Sequence, residues 1–129
     1  MITRRILFIG GSTLDGKVRR GFQQKGFNVL RVNDFESAAD LLLESQVDVV
    51  ILNLDQTKDG PGFIRRIRSI PILKGTRVVA VARWGGGQAT TALSAGADAY
   101  EPSPTDARRL TDAVERVLNR RAAVVGLNN

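Results

Sequence analysis

The sequence predicts a doubly wound α/β domain, with a parallel sheet covered by helices on both faces. Short apolar runs alternate with segments of helical spacing, and the pairing of strand and helix repeats five times. Glycines, and acids or hydroxyls suited to helix caps, punctuate the junctions. In such a sheet the functional edge lies beyond the carboxyl ends of the strands, near the switch in strand order.

The elements run in order along the chain. Arg5-Ile-Leu-Phe-Ile9 is an apolar run stopped by Gly10-Gly11-Ser12, as a buried parallel strand would be. Leu14, Val18 and Phe22 then recur at helical spacing until Gly26. Asn28–Val32 is a second strand, and Asn33 or Asp34 can cap a helix that turns Phe35, Ala38 and Leu42 inward. Val49 to Leu54 is a third strand, and Phe63, Ile64 and Ile67 mark a helix after Gly60-Pro61-Gly62. Arg77 to Ala82 is the fourth strand, followed by a short, weak helix from Gln88 to Ala95 closed by Gly96. Ala99-Tyr-Glu101 is a brief fifth strand. Ser103 or Thr105 can cap the final helix, where Leu110, Ala113, Val114, Val117 and Leu118 form an apolar stripe. Residues 1–121 are read as one domain and 122–129 as a C-terminal tail or linker remnant, since that segment has no helical stripe of its own.

Composition removes whole classes of chemistry. With 43% hydrophobic and 25% charged residues the chain is an ordinary globular domain, and no apolar run approaches the roughly 20 residues needed to span a bilayer. A cytoplasmic location is expected, because Met1-Ile-Thr-Arg-Arg-Ile lacks the form of a secretory signal. The counts Cys 0 and His 0 exclude disulfides, thiol catalysis and Ser-His or Cys-His nucleophiles, and argue against a zinc site. The net charge of +6 favours acidic partners without choosing among protein, nucleic acid and membrane surface. Most basic residues fall on helix faces and only 5% of residues are aromatic, so a nucleic-acid surface is not favoured.

The order and spacing of several segments together resemble the bacterial receiver domain of two-component systems. Asp48-Val-Val-Ile-Leu-Asn53 is similar to that family's third strand, and Asp59-Gly60 through Arg68 to its next turn and helix, with a loop one residue shorter. Ala92-Leu-Ser-Ala-Gly-Ala-Asp-Ala-Tyr100 resembles the approach to the fifth strand, and Pro104 stands where the family has a proline after its lysine. The resemblance covers nearly the whole chain. It implies a flavodoxin-like (βα)5 fold with strand order 2-1-3-4-5 and a role in phosphorelay signalling.

Every chemical position departs from that pattern. The paired acids after the first strand are replaced by Gly10 and Gly11, the phosphoacceptor by Asn53, the hydroxyl residue by Ala82 and the lysine by Ser103. An amide is a poor nucleophile at phosphorus, and glycines offer magnesium no side-chain oxygen, so the magnesium site is expected to be lost. The loss of the lysine removes the cation that offsets phosphoryl charge. These losses agree with one another, because carboxylates left without their cation would repel.

The reading is therefore an atypical, non-enzymatic receiver that works through phosphorylation-independent protein–protein interaction. Its signalling partner would carry an acidic surface, and a homodimer through the fourth helix, fifth strand and fifth helix is an allied expectation. Candidate contacts are Trp84, Gln88, Tyr100, Arg108, Asp112 and Arg116. Trp84 has two open readings, an interface anchor or a ring packed over the vacated cleft. Tyr100 matches the family's switch aromatic, but Ala82 leaves it no hydroxyl to follow. Asp15, Asp55 and Asp59 are read as solvated loop residues or helix caps. Three alternatives stay open: phosphorylation at Asp55, an anion or metabolite bound near Gly10, Asn53 and Ser103, and nucleic-acid binding. The turn Gly10-Gly11-Ser12 is not a dinucleotide or Walker motif and is read as a tight turn.

Overall fold

A computed structural model describes residues 3–11 and 15–127, with side chains as far as Asn119. Ser12 and Leu14, expected from the sequence to occupy a turn and a helix position, lie outside the described residues. Five parallel strands, β1 (Arg5–Ile9), β2 (Asn28–Val32), β3 (Val49–Asn53), β4 (Arg77–Arg83) and β5 (Ala99–Ser103), form one sheet in the order β2-β1-β3-β4-β5. The helices are α1 (Gly16–Gln24), α2 (Phe35–Glu44), α3 (Gly60–Ser69), α4 (Gln88–Ala95) and α5 (Ala107–Leu127). This is the doubly wound architecture expected from the alternation of elements, with the strand order that the resemblance implies.

Alternation along the strands divides the core into two layers. Leu7, Ile9, Val50, Leu52, Val78 and Ala80 meet residues of α2, α3 and α4. Ile6, Phe8, Val49, Ile51, Val79 and Val81 meet Val18 and Phe22 of α1 and Leu110, Val114 and Val117 of α5. Both faces are thus sealed, which is why the central strands read as continuous apolar runs. Phe22 makes edge-to-face contacts with Phe8 and Phe27, whereas Phe35 stacks on Phe63 at 4.4 Å.

Several boundaries differ from expectation, each for a local reason. β3 stops at Asn53, because its side chain caps a 3₁₀ turn at Leu54–Gln56. β5 runs on to Ser103, paired with Arg83 of β4. Neither Ser103 nor Thr105 caps α5: Asp106 does, its carboxylate accepting from the Arg109 N–H at 2.8 Å. The segment read as a tail continues α5 as far as Leu127, with Ala122 and Ala123 supplying strong helix formers. Of the two candidates before α2, Asp34 is the cap, and Ser37 N–H holds its carboxyl below the usual range. No described helix is long and apolar enough to cross a membrane.

Arg68, near the end of α3, ties three connections together. Its guanidinium donates to the carbonyls of Lys74, Thr76 and Gly96 and pairs with Asp98 at 2.9 Å. Asp98 also accepts from the Val78 N–H at 2.7 Å, so the pair fixes the entry to β4 and the turn from α4 into β5. Both side chains are largely buried, at 22% and 23% exposure, so truncating one leaves its partners poorly solvated. Arg68→Ala is expected to lower stability by about 2–3 kcal/mol. Urea unfolding checks the loss, and a double-mutant cycle with Asp98→Ala should show strongly non-additive losses.

Candidate functional site

The carboxyl edge of the sheet is built around Asn53. Parallel pairing sets Ile9 beside Leu52 and Asn53 beside Val81, which brings Gly10 and Ala82 to the two flanks of the third strand's end. Asn53 is buried, at 4% exposure. Its Oδ1 accepts from the N–H groups of Asp55 at 2.9 Å and Gln56 at 3.2 Å, while its carbonyl accepts from the Thr57 hydroxyl at 2.8 Å. The amide that replaces a phosphoacceptor in the resemblance is therefore committed to turning the chain.

Gly10 fits against this turn. Its φ of +97° lies where L-residues are strained, and a Cβ there would stand 3.0 Å from the Asn53 Cβ. The space a side chain at Gly10 would take is thus bounded by the Cβ atoms of Asn53 and Gln56. A side chain at Gly11 would meet the guanidinium of Arg31, 2.8 Å from where its Cβ would be. Arg31 also donates to the Asn33 side chain at 3.3 Å. The donor set consequently differs in kind from a magnesium site: two glycines, a committed amide and a nearby cation stand where hard anionic oxygens would be needed. Among the described residues, no group of three or more His, Cys, Asp or Glu side chains is placed to hold a metal ion.

Ala82 is fully buried on β4, and Ser103 is half-buried at the end of β5. Ser103 pairs in register with Arg83, a step beyond the Ala82–Pro102 pair. The Ser103–Pro104 peptide bond is cis.

Asp15, Asp55 and Asp59 have distinct fates. Asp15 and Asp59 are helix caps, accepting from the Val18 N–H at 2.9 Å and the Gly62 N–H at 3.1 Å. Asp55 is exposed, but it is not merely solvated. Its carboxylate accepts from the Arg83 N–H at 2.8 Å and from Gln88 Nε2 at 3.3 Å. Sequence reasoning placed Asp55 near this edge and missed both partners; they lie 28 and 33 residues further on.

Five of the six candidate contacts fall into two groups near the β5 edge. Tyr100 donates its hydroxyl to the carbonyls of Ala82 at 2.9 Å and Arg83 at 3.1 Å. Trp84 lies 6.5 Å from the Tyr100 ring and is 80% exposed, so it is not buried over the Asn53 turn. Gln88, through Asp55, belongs to the same group. Further along, Asp112 and Arg116 line a groove of 620 Å³ with Glu101, Pro102 and Arg109. Glu101 and Arg109 form an ion pair at 3.3 Å across it. Arg108 is exposed on α5.

Burial, then the charges of Asp55 and Glu101, raise the Tyr100 hydroxyl above its ordinary value of 10.0. The folded chain holds that proton more tightly, so the stabilisation is complete below pH 10.0 and is lost as pH climbs through the folded-state value. Tyr100 is the only tyrosine, which lets alkaline ultraviolet absorbance read it directly. Its midpoint is expected above 10.0, and Asp55→Ala should lower it only part of the way back, because burial remains the larger cause.

No family model matches the sequence, and no curated relative matches it. Solved structures do. The signal receiver domain of a LuxO repressor protein from Vibrio parahaemolyticus is similar at a TM-score of 0.81 and 21% identity, over 99% of each chain. An orphan response regulator of H. pylori is similar at 0.78 and 24%, over 89% of this chain and 96% of that one. An atypical orphan response regulator, described as having a phosphorylation-independent regulatory mechanism, is similar at 0.77 and 24%, over 89% and 95%. At these identities the likeness establishes architecture: the chain has the receiver-domain fold of response regulators.

Proposed function

We propose that this chain is an atypical receiver domain that signals by phosphorylation-independent recognition of another protein. The observation that carries the reading is the Asn53 turn. Its amide oxygen is spent on the Asp55 and Gln56 N–H groups, and Gly10 packs against its Cβ. A phosphoryl-transfer site needs an anionic nucleophile, a metal held by hard oxygens and a compensating cation. None of the matching positions supplies these groups, so the domain holds no magnesium here and carries out no reaction of its own. Likeness to an atypical regulator with a phosphorylation-independent mechanism agrees with this reading.

The recognition surface is the α4–β5–α5 edge, where Trp84 stands exposed and Arg108 and Arg116 add positive charge. The partner is a signalling protein with an acidic surface, a homodimer through the same edge is compatible, and the setting is cytoplasmic. Phosphorylation at Asp55 is disfavoured because its oxygens already bridge to Arg83 and Gln88. An anion near Gly10 is disfavoured by the closeness of Gly10 to Asn53.

Incubation with acetyl phosphate and magnesium, followed by mass spectrometry, tests the chemical half. Neither the native chain nor Asn53→Asp is expected to gain a phosphoryl group; a stable acyl phosphate on either would overturn the reading. For the surface half, a partner copurified from native cells should bind in a salt-sensitive manner. Arg108→Glu with Arg116→Glu should weaken that complex by about tenfold or more and flatten its salt dependence. Unchanged binding would move the interface off this edge.

A further inference from the structure

Asp55 sits in the 3₁₀ turn after β3, yet its two oxygens act on β4 and α4. One accepts from the Arg83 N–H at 2.8 Å and the other from Gln88 Nε2 at 3.3 Å. The neighbouring carbonyls are gripped as well, since the Tyr100 hydroxyl donates to Ala82 at 2.9 Å and Arg83 at 3.1 Å. The Arg83 residue is therefore held at its N–H by Asp55 and at its carbonyl by Tyr100.

The residues just after Arg83 are held at few points: the Trp84 ring lies 6.5 Å from that of Tyr100, and the Gly87 carbonyl accepts from the Thr91 N–H and hydroxyl at 3.0 Å. Trp84 is 80% exposed. Gly85, Gly86 and Gly87 have φ of +103°, +70° and +73°, with nothing within 4 Å of where a Cβ would project. Such a stretch has large backbone freedom and no side-chain packing to restrict it. The fixed points next to Trp84 are thus the Arg83 backbone and the Tyr100 ring.

We propose that Asp55 is a built-in anionic latch, a positioning residue that holds the β4–α4 connection and keeps Trp84 in one presented arrangement without any covalent modification. A carboxylate accepting a backbone N–H makes a charge-assisted bond, stronger than a neutral one, and a short aspartate side chain loses little entropy in making it. The charge is part of the chain, so the latch is permanently set. Its biological meaning rests on the surface-recognition reading above; its physical existence does not.

The single tryptophan of the chain makes the latch observable in the isolated protein. Asp55→Ala in the full chain should speed hydrogen exchange at the Arg83 amide by about tenfold or more and enlarge the fast local component of Trp84 anisotropy decay. Protection in β1 and β3 should persist. Asp55→Asn keeps one acceptor oxygen and should restore part of the slow exchange. Unchanged exchange and anisotropy in Asp55→Ala would overturn the latch, as would an equal loss of protection throughout the sheet. Should Asp55→Ala fail to fold, Gln88→Ala and Tyr100→Phe probe the same grip from its other members. Each is expected to increase Trp84 local motion, and no increase in both would overturn the proposal. No partner enters these measurements, so a negative result leaves the recognition reading standing, and a latch without partner binding removes that reading alone.

Discussion

The carboxyl edge of this domain depends on one interaction, the capping of the Leu54–Gln56 turn by the side chain of Asn53. By accepting the N–H groups of Asp55 and Gln56, the amide ends β3 and bends the chain at once. That bend decides where Asp55 goes. Had the strand continued, alternation would have set Asp55 on the same side as Asn53; the turn instead carries its carboxylate to the end of β4. Gly10 completes the arrangement, because only a residue without a Cβ approaches Asn53 so closely at a φ of +97°. A position that the resemblance associates with reaction has become a structural joint, and its consequence is felt at Arg83.

The remaining framework explains why such a joint is tolerated. Two apolar layers cover the faces of the sheet, and one of them reaches the carboxyl edge through Ile9 and Leu52. The Arg68–Asp98 pair secures the connections into β4 and β5 by a separate route. The receiver-domain fold is thus kept with Gly10, Asn53, Ala82 and Ser103 at the carboxyl edge. On this sheet the stretch Trp84 to Gly87 is anchored at its two ends, by Asp55 at the Arg83 N–H and by Thr91 at the Gly87 carbonyl.

The succession of strands and helices was legible because burial on both faces leaves unbroken apolar runs that few other arrangements require, whereas the strand order followed only from the resemblance. Gly10, Gly11, Asn53, Ala82 and Ser103 were singled out by the resemblance, and each lies at or near the carboxyl end of a strand. Contacts made across the sequence were not legible. Asp55 and Arg83 are 28 residues apart, and Arg68 and Asp98 are 30 apart; no local pattern links either pair. The cap of α5 was misread because Ser103, Thr105 and Asp106 all have side chains able to accept a backbone N–H, and geometry alone selects among them. An acid two residues past a turn-forming asparagine was the available hint to Asp55.

The disposition of charge is set by these same contacts. Of the 13 acidic residues, Asp15, Asp34, Asp59 and Asp106 cap helices. Asp48 accepts from the Arg5 N–H, Asp55 holds the Arg83 N–H, and Asp98, Glu101 and Glu115 pair with Arg68, Arg109 and Lys25. Acids are mostly engaged within the fold, whereas exposed cations such as Lys17, Arg20, Arg65 and Arg116 outnumber the ion pairs available to them among the described residues. The net charge of +6 makes the potential felt by an approaching molecule positive. On the proposed reading, such a field would steer acidic surfaces toward the domain, and the exposed ring of Trp84 would supply the short-range contact that steering alone lacks.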